Sequence, residues 1–286
     1  MSRRLIPSVA AAMLILTGCA PEFRGPLDIC PGRKTAAEAL AALRSHSQNI
    51  VPFKASGQCR LEYYLEGKKK PQKENVSIKL WVNPPAEIYL QGDKPLVAKA
   101  IVLGSNEREF WLTISPKEIS THWWGQWSQQ DSSEGPAINP KTLLEALGVG
   151  EIDAEQDWSL SNEGPFDILT KRERGVITNK KIHIYSCDYQ VRKIEFFDSN
   201  GRAVAYAELD KYQEVSQGFF VPASIKVTTQ GRNGKQDSLS ITLDLESIKP
   251  AEISEQLRSY LFERRPPRGI KHIRSLVNGR WVEEPQ

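Results

Sequence analysis

The chain has 286 residues, of which 40% are hydrophobic and 26% are charged, an ordinary composition for a folded soluble domain. Its formal net charge of +3 is too small for the strong positive field that nucleic-acid binding uses, so we expect no nucleic acid partner. The four histidines are scattered, and the sequence contains no zinc-ligand, nucleophile-elbow or phosphate-loop motif. We therefore expect no metal, no cofactor, no catalytic residue and no enzyme, although a glycosidase-type carboxylate pair stays open.

The first residues have the features of an export signal. Arg3 and Arg4 precede an apolar run from Leu5 to Leu16, which is too short for a permanent membrane-spanning helix. The run leads into a Leu-Thr-Gly-Cys sequence ending at Cys19, which looks like the bacterial lipobox, where the Cys thiol receives diacylglycerol. We predict that residues 1–18 are a lipoprotein signal peptide and that Cys19 is the lipidation site. The alternative is an ordinary signal peptide with a chance cysteine.

Cleavage before Cys19 lowers the 38 Lys and Arg residues to 36 against 35 acids, which leaves a net charge of about +1. Ala20 stands where lipoproteins retained in the inner membrane have Asp. By resemblance to that sorting rule we predict the outer membrane, with the protein facing the periplasm. Acyl chains such as palmitate on Cys19 then make membrane lipid the first partner. Residues 19–33, rich in Pro and Gly, are predicted to be the lipidated tether.

Three cysteines remain: Cys30, Cys59 and Cys187. In an oxidising compartment they can form at most one intramolecular disulfide, which leaves one thiol. A bond between Cys30 in the tether and Cys59 at the start of a predicted strand would fix the tether to the sheet. The sequence alone allows any of the three pairings.

The folded domain is predicted to cover residues 34–275, with residues 276–286 as a C-terminal tail. It begins with a helix that runs to about Ser47, because Thr35 and Glu38 form a capping box. A meander of about ten strands follows, in which apolar residues alternate and Pro, Gly and Asn mark the turns. The strands are predicted at Gly57–Glu66, Asn75–Val82, Ala86–Gln91, Leu96–Leu103, Glu107–Ile114, Ile119–Trp124, Phe166–Arg172 and Val176–Thr178, then through Lys181–Thr229, and at Ser238–Leu245.

Two further helices accompany the meander. Asn139 and Pro140 suit the N-cap and first turn of a helix that ends at Gly148, and a helical turn is predicted around Ser254–Phe262. The glycine-rich stretch 231–235 is predicted to be a hairpin turn. So many strands with so few helices indicate a mainly β protein. We predict one large curved antiparallel sheet, closed far enough to hide its inner face, with the helices plugging or lining its mouth.

Several stretches resemble the LolA/LolB-like superfamily of periplasmic lipoprotein-sorting proteins. They are the lipobox, the N-terminal helix, the Asn-Pro-Pro return at residues 83–85, the segments VRKIEFFDSNGRAV (191–204) and GFFVPASIKV (218–227), and Leu261-Phe262 followed by residues 266–269. The resemblance implies an unclosed β-barrel with helices as a lid over a hydrophobic cavity that accepts acyl chains. The lipid anchor favours the LolB-like membrane receptor over the soluble carrier.

The aromatic cluster and the strand alternation supply candidate residues for such a cavity. Core packing is the alternative for the aromatic ones, and period-two alternation does not show which face points inward. The candidates for the cavity are Ile78, Leu80, Ile88, Leu90, Trp111, Trp123, Trp124, Ile194, Phe196, Val221 and Ile225. Leu96 and Val97, after a proline turn, are the candidate membrane contact; the alternative is that they start the next strand.

The function that these features predict is binding of acyl chains or lipoproteins by an outer-membrane-anchored protein, in lipoprotein sorting or insertion, with a periplasmic carrier protein as a further partner. Two alternatives stay open. One is a lipid-sensing module in an envelope-stress pathway, and the other is a structural lipoprotein whose core is filled by its own side chains.

Overall fold

The fold is given by a computed structural model that describes residues 27–46, 48–64, 70–116, 119–129, 140–150, 157–173, 177–198, 200–229, 239–265 and 267–285. The predicted signal peptide, Cys19 and the first part of the predicted tether lie outside these residues. So do the predicted N-cap Asn139 and the predicted hairpin turn at 231–235.

Within the described residues, fifteen strands form a single sheet. The strands of the first half are β1 (Phe53–Tyr63), β2 (Gln72–Asn83), β3 (Glu87–Lys94), β4 (Val97–Ser105), β5 (Glu109–Ile114) and β6 (Thr121–Gln126). Those of the second half are β7 (Trp158–Glu163), β8 (Phe166–Glu173), β9 (Ile177–Tyr185), β10 (Val191–Phe197), β11 (Ala203–Ser216), β12 (Phe219–Thr229), β13 (Leu239–Pro250), β14 (His272–Val277) and β15 (Arg280–Glu283). The helices are α1 (Ala36–His46), α2 (Pro140–Ala146) and α3 (Glu255–Phe262), with a 3₁₀ turn at Trp127–Gln129.

The sheet consists of two meanders joined at its centre. Its strand order is β15-β14-β6-β5-β4-β3-β2-β1-β13-β12-β11-β10-β9-β8-β7, so the first strand in the chain, β1, pairs with β13 at the centre of the sheet. Neighbours are antiparallel except β14, which runs parallel to β6. β15 and β7 are the two edges of one large curved, unclosed sheet, and the predicted fold class is confirmed.

Side-chain alternation places the core on the concave face. On β2, Val76, Ile78, Leu80 and Val82 are buried while the residues between them are more exposed, as period two requires. Two helices pack into this face: Leu40 and Leu43 from α1 and Leu143 and Leu147 from the α2 region belong to the same core cluster. The third helix does not, because Leu261 and Phe262 of α3 pack with Tyr89 in a separate cluster on the convex face.

Side-chain oxygens cap the first turns of α1 and α3, and at α1 the predicted Thr35 bond forms. Glu38 N donates to Thr35 Oγ1 at 3.2 Å, and the Glu38 carboxylate accepts from the amide of Lys34 at 3.0 Å. At α3, Leu257 N donates to Ser254 Oγ at 3.3 Å. The amides of Glu38 and Leu257 lie in the first turns of their helices, where they have no partner within the helix, and the amide of Lys34 lies just before α1.

Three strands are missing from the sequence-based prediction. β7 is short and mostly exposed, so it carries little apolar signal. Residues 276–286, predicted as a tail, instead supply the end of β14 and the whole of β15. The turn between these two strands is Asn278-Gly279, with φ of 50° and 76°. This is the chemistry of a two-residue hairpin turn, so a signal was present in the sequence.

The disulfide differs from the pairing suggested for the tether. Cys30 bonds to Cys187, with their Cα atoms 5.0 Å apart, and Cys59 is a buried free thiol on the concave face. The chain around Cys30 lies against the β9–β10 turn, where Ser186 Oγ donates to the Cys30 carbonyl at 3.1 Å. The tether is therefore fixed to the sheet, but a Cys30–Cys59 bond is wrong, because Cys59 lies on β1, five strands away from β9 in the sheet.

Candidate functional site

The concave face and α2 enclose a cavity of about 630 Å³, which we call the main cavity. Its volume lies within the ~300–1,000 Å³ of ligand-binding pockets. Strands β1 to β6, β12 and β13 contribute most of the wall, and Leu143 of α2 and Trp281 of β15 complete it. The wall is mainly apolar, including Leu61, Leu90, Leu103, Leu112, Trp123 and Ile241.

One end of the main cavity is polar. Tyr63 is the last residue of β1, Gln72 and Glu74 begin β2, and Lys94 ends β3, and all four line the cavity. We call these four residues the cavity mouth. Lys94 Nζ lies 2.6 Å from Glu74 Oε2, and both side chains are partly buried. The cavity is therefore amphipathic along its length, with an ion pair at one end and aliphatic walls beyond it.

Nine of the eleven predicted cavity residues lie on the concave side, and they fall into three groups. Leu90 and Trp123 line the main cavity. Ile78, Leu80, Ile88, Val221 and Ile225 are buried in the core on the same concave side, and Phe196 packs against that core from a partly buried position. Ile194 lines a second, smaller cavity of about 110 Å³, bounded by α1, α2, β7 and strands β9 to β12.

The assignment of Trp111 and Trp124 to the cavity is wrong. Adjacent residues of a strand point to opposite faces, so Trp124 faces away from the cavity that Trp123 lines. Trp111 is paired with Trp124 and with Gly104, so it shares their convex face. The Trp111 ring lies 2.3 Å from where a Cβ on Gly104 would be, so this glycine is what allows the ring to cross β4.

The convex face has its own ordered contacts. The guanidinium of Arg264 lies 3.8 Å from the centre of the Trp124 ring, and Trp124 Nε1 donates to Glu284 at 2.9 Å. Arg264 also donates to Glu109 at 3.0 Å. Arg264 therefore packs on the convex face of the sheet, and its charge is paired with Glu109.

The turn between β3 and β4 projects a leucine into solvent. Leu96 is fully exposed and has a φ of 67°, a conformation that favours glycine or asparagine. Val97 begins β4 and is 42% exposed. Leu96 thus belongs to the turn itself, two residues beyond Lys94 at the cavity mouth.

Burial shifts the pKa of two groups near these surfaces. Burial is the main cause that raises the pKa of the Cys59 thiol to about 12, so the group faces the main cavity as a neutral thiol. Burial, followed by the positive charge of Arg264, lowers the pKa of His122 to about 4, against a smaller opposing effect of Glu284. His122 is therefore a neutral imidazole at neutral pH.

Metal-ligand clusters and membrane-spanning helices are both absent from the described ranges. These ranges contain no group of three or more His, Cys, Asp or Glu side chains placed to hold a metal ion. None of their helices combines the length and the apolar character needed to cross a membrane.

The sequence-based prediction does not include Trp281, because it places residues 276–286 in a tail, and it does not include the cavity mouth. The mouth residues are polar side chains at strand ends, which look like ordinary turn-flanking residues in a sequence. Tyr63, Gln72 and Glu74 form one site only because their side chains all point into the main cavity in the folded sheet.

A single curved antiparallel sheet with helices packed in its concave face, around an apolar cavity, defines the LolA-like fold. Several solved structures are similar to this chain in fold. A LolA superfamily protein from Nitrosomonas europaea matches with a TM-score of 0.50 at 13% identity, over 80% of this chain and 100% of its own. An outer membrane lipoprotein-sorting protein domain from Vibrio parahaemolyticus, described as putative, matches with a TM-score of 0.52 at 12% identity, over 77% and 94%. A DUF1329 family protein from Desulfovibrio piger matches with a TM-score of 0.50 at 10% identity, over 79% and 95%.

At such low identity these structural likenesses show the fold alone, and the predicted LolA/LolB-like architecture is confirmed. No family model matches the chain, and no curated protein matches its sequence.

Proposed function

We propose that this protein is an outer-membrane-anchored periplasmic lipoprotein that binds acyl chains in the main cavity and acts as a receptor, on the LolB-like side of lipoprotein sorting. The observation that carries the proposal is the main cavity itself. It is apolar over most of its wall, it is polar at one end, and its mouth adjoins the exposed Leu96 turn. The likeness to a structure described as a lipoprotein-sorting domain supports the same function.

The driving force is hydrophobic burial. Each methylene removed from water contributes ~0.8 kcal/mol, so ten methylenes contribute on the order of 8 kcal/mol before the cost of association. A cavity that binds chains more tightly than a carrier does can receive them without chemical energy. No bond needs to be made or broken, so the proposed activity is binding and transfer, and the protein is not an enzyme.

The length of the tether limits how far the folded domain can lie from the membrane. Cys30 is fixed to the sheet by its bond to Cys187. With lipid on Cys19, the eleven residue steps from Cys19 to Cys30 span at most ~40 Å when fully extended. The body would therefore stay close to the membrane surface, as a receptor requires.

Leu96 and Val97 are proposed to contact the membrane. Leu96 is fully exposed at the tip of its turn, and burying a leucine side chain is worth ~1.5–3 kcal/mol. Such a contact would bring the cavity mouth to the membrane surface, because Lys94 lies at the base of the same turn.

The test is whether the purified mature chain carries lipid. Mass spectrometry of an organic extract should find acyl lipids, and the delipidated chain should take up a fluorescent fatty acid. Leu61→Trp places a larger side chain in the main cavity and should weaken uptake at least tenfold. Arg60→Trp is the matched control, because Arg60 is the neighbouring exposed residue on the other face of β1.

A chain that is free of lipid and takes up no fatty acid would refute the proposal. That result would instead favour the structural alternative, in which the protein's own side chains fill the core. Equal uptake by Leu61→Trp and Arg60→Trp would place binding outside the main cavity.

A further inference from the structure

The polarity of the main cavity changes along its strands. On β2 the inward positions pass from Val76 to Glu74 and then to Gln72, and Tyr63 lies opposite Gln72 on β1. Because side chains alternate along a strand, these residues share the concave face with the apolar wall. An occupant with a long chain and a polar end therefore fits in one direction only, with its polar end at the cavity mouth.

The cavity mouth carries one charge of each sign. Lys94 Nζ lies 2.6 Å from Glu74 Oε2, with the two side chains 23% and 34% exposed. Both charges have thus lost part of their hydration. A lysine ammonium has three donors and a carboxylate has about four acceptor positions, so the contact between them leaves most of this capacity for a ligand.

The two charges select among lipid head groups. An uncharged head group leaves the ion pair without a charged partner and gains little. An anionic head group meets Lys94 but is repelled by Glu74 at the same place. A head group with an ammonium and a phosphate supplies a partner for each charge, which strengthens both hydrogen bonds because both partners are ionised.

We infer that the main cavity takes a zwitterionic phospholipid, with its acyl chain along the apolar wall, its phosphate at Lys94 and its ammonium at Glu74. The inference rests on the proposed acyl-chain binding and adds the class of lipid.

Competition against a bound fluorescent fatty acid tests the inference. The competitors share one acyl chain and are used on the delipidated full mature chain: lysophosphatidylethanolamine, lysophosphatidylglycerol, a monoglyceride and the free fatty acid. Lysophosphatidylethanolamine should displace the probe at a concentration at least fivefold lower than the other three require. Lys94→Met should abolish that advantage. Glu74→Gln should improve competition by lysophosphatidylglycerol at least threefold.

The matched control is Lys79→Met. Lys79 lies on the same strand as Glu74 but on the opposite face, where its ammonium is 3.9 Å from Asp93. This variant should keep the order of the four competitors. The wild-type order is itself a test that does not depend on whether any variant folds.

The possible outcomes distinguish the lipid preference from the proposed acyl-chain binding. Equal displacement by all four lipids, or a preference for lysophosphatidylglycerol, overturns the inference and leaves acyl-chain binding in place. Failure of the fluorescent fatty acid to bind at all overturns the proposed function as well.

Discussion

Replacing His122 by Phe should remove most of the acid sensitivity that this protein shows above pH 4. The His122 side chain is 1% exposed on β6, and its Nδ1 lies 2.8 Å from Thr113 Oγ1. Protonation would place a charge in this buried position, near the positive charge of Arg264. Burial and this neighbour together lower the pKa of His122 from 6.5 to about 4, although the carboxylate of Glu284 opposes the shift.

The sign of the effect follows from proton linkage. Between pH 6.5 and about pH 4 the unfolded chain binds a proton at this histidine and the folded chain does not. Stability therefore falls as the pH falls through this window, and it is fully present above pH 6.5. At 1.36 kcal/mol per pKa unit, the shift is worth about 3 kcal/mol of unfolding free energy.

The measurement is urea unfolding followed by tryptophan fluorescence at several pH values from about 7 to 4.5. The free energy of unfolding of the wild type should fall by up to about 3 kcal/mol, and that of His122→Phe should change by less than about 1 kcal/mol. The carboxyl groups with lowered pKa values act mainly below this window; they are Asp93, Glu195, Asp198 and Glu283. His272→Gln, which leaves His122 in place, is the control and should follow the wild type. Parallel pH dependence of wild type and His122→Phe would refute the reasoning.

Three further predictions concern the anchor, the turn and the disulfide. Cys19→Ala should move the protein from the membrane fraction to the soluble fraction, and retention on membranes would contradict the lipidation site. Leu96→Gly should raise the free energy of unfolding by about 1 kcal/mol, because glycine adopts the positive φ of this turn without strain, yet it should weaken binding to lipid vesicles. In a vesicle flotation assay Val204→Asp, at another exposed apolar position, is the control, and unchanged binding by Leu96→Gly would exclude the turn as a membrane contact. Replacing Cys30 and Cys187 by Ser should lower the free energy of unfolding by roughly 2–4 kcal/mol, measured by urea titration, because the bond closes a loop across 157 residues of sequence.

The receptor and sensor hypotheses both use a lipid-binding cavity, so lipid binding alone does not separate them. They differ in the partner. A receptor contacts a soluble carrier that delivers acyl chains, and a sensor contacts a component of an envelope-stress pathway. Capture of partners by the membrane-anchored chain, with and without the Leu61→Trp substitution that fills the cavity, distinguishes the two.

Local patterns in the sequence determined the elements of this fold. Alternating apolar residues predicted most of the strands, and Thr35 with Glu38 predicted the start of α1 through a bond between neighbours in the chain. The Asn-Gly signal at Asn278 was equally local and would have predicted the β14–β15 hairpin. These features are readable because the interacting groups lie within a few residues of one another.

The tertiary structure alone decided which surface became the site. Period-two alternation separates Trp123 from Trp124, but it does not state which of them faces inward, because that depends on the direction in which the whole sheet curves. The choice of Cys187 over Cys59 as the partner of Cys30 depends on where the tether crosses the sheet. The cavity mouth depends on strand register, which places Glu74 of β2 beside Lys94 of β3. Each of these outcomes is set by contacts between residues far apart in sequence, and for that reason the chain specifies them only once it is folded.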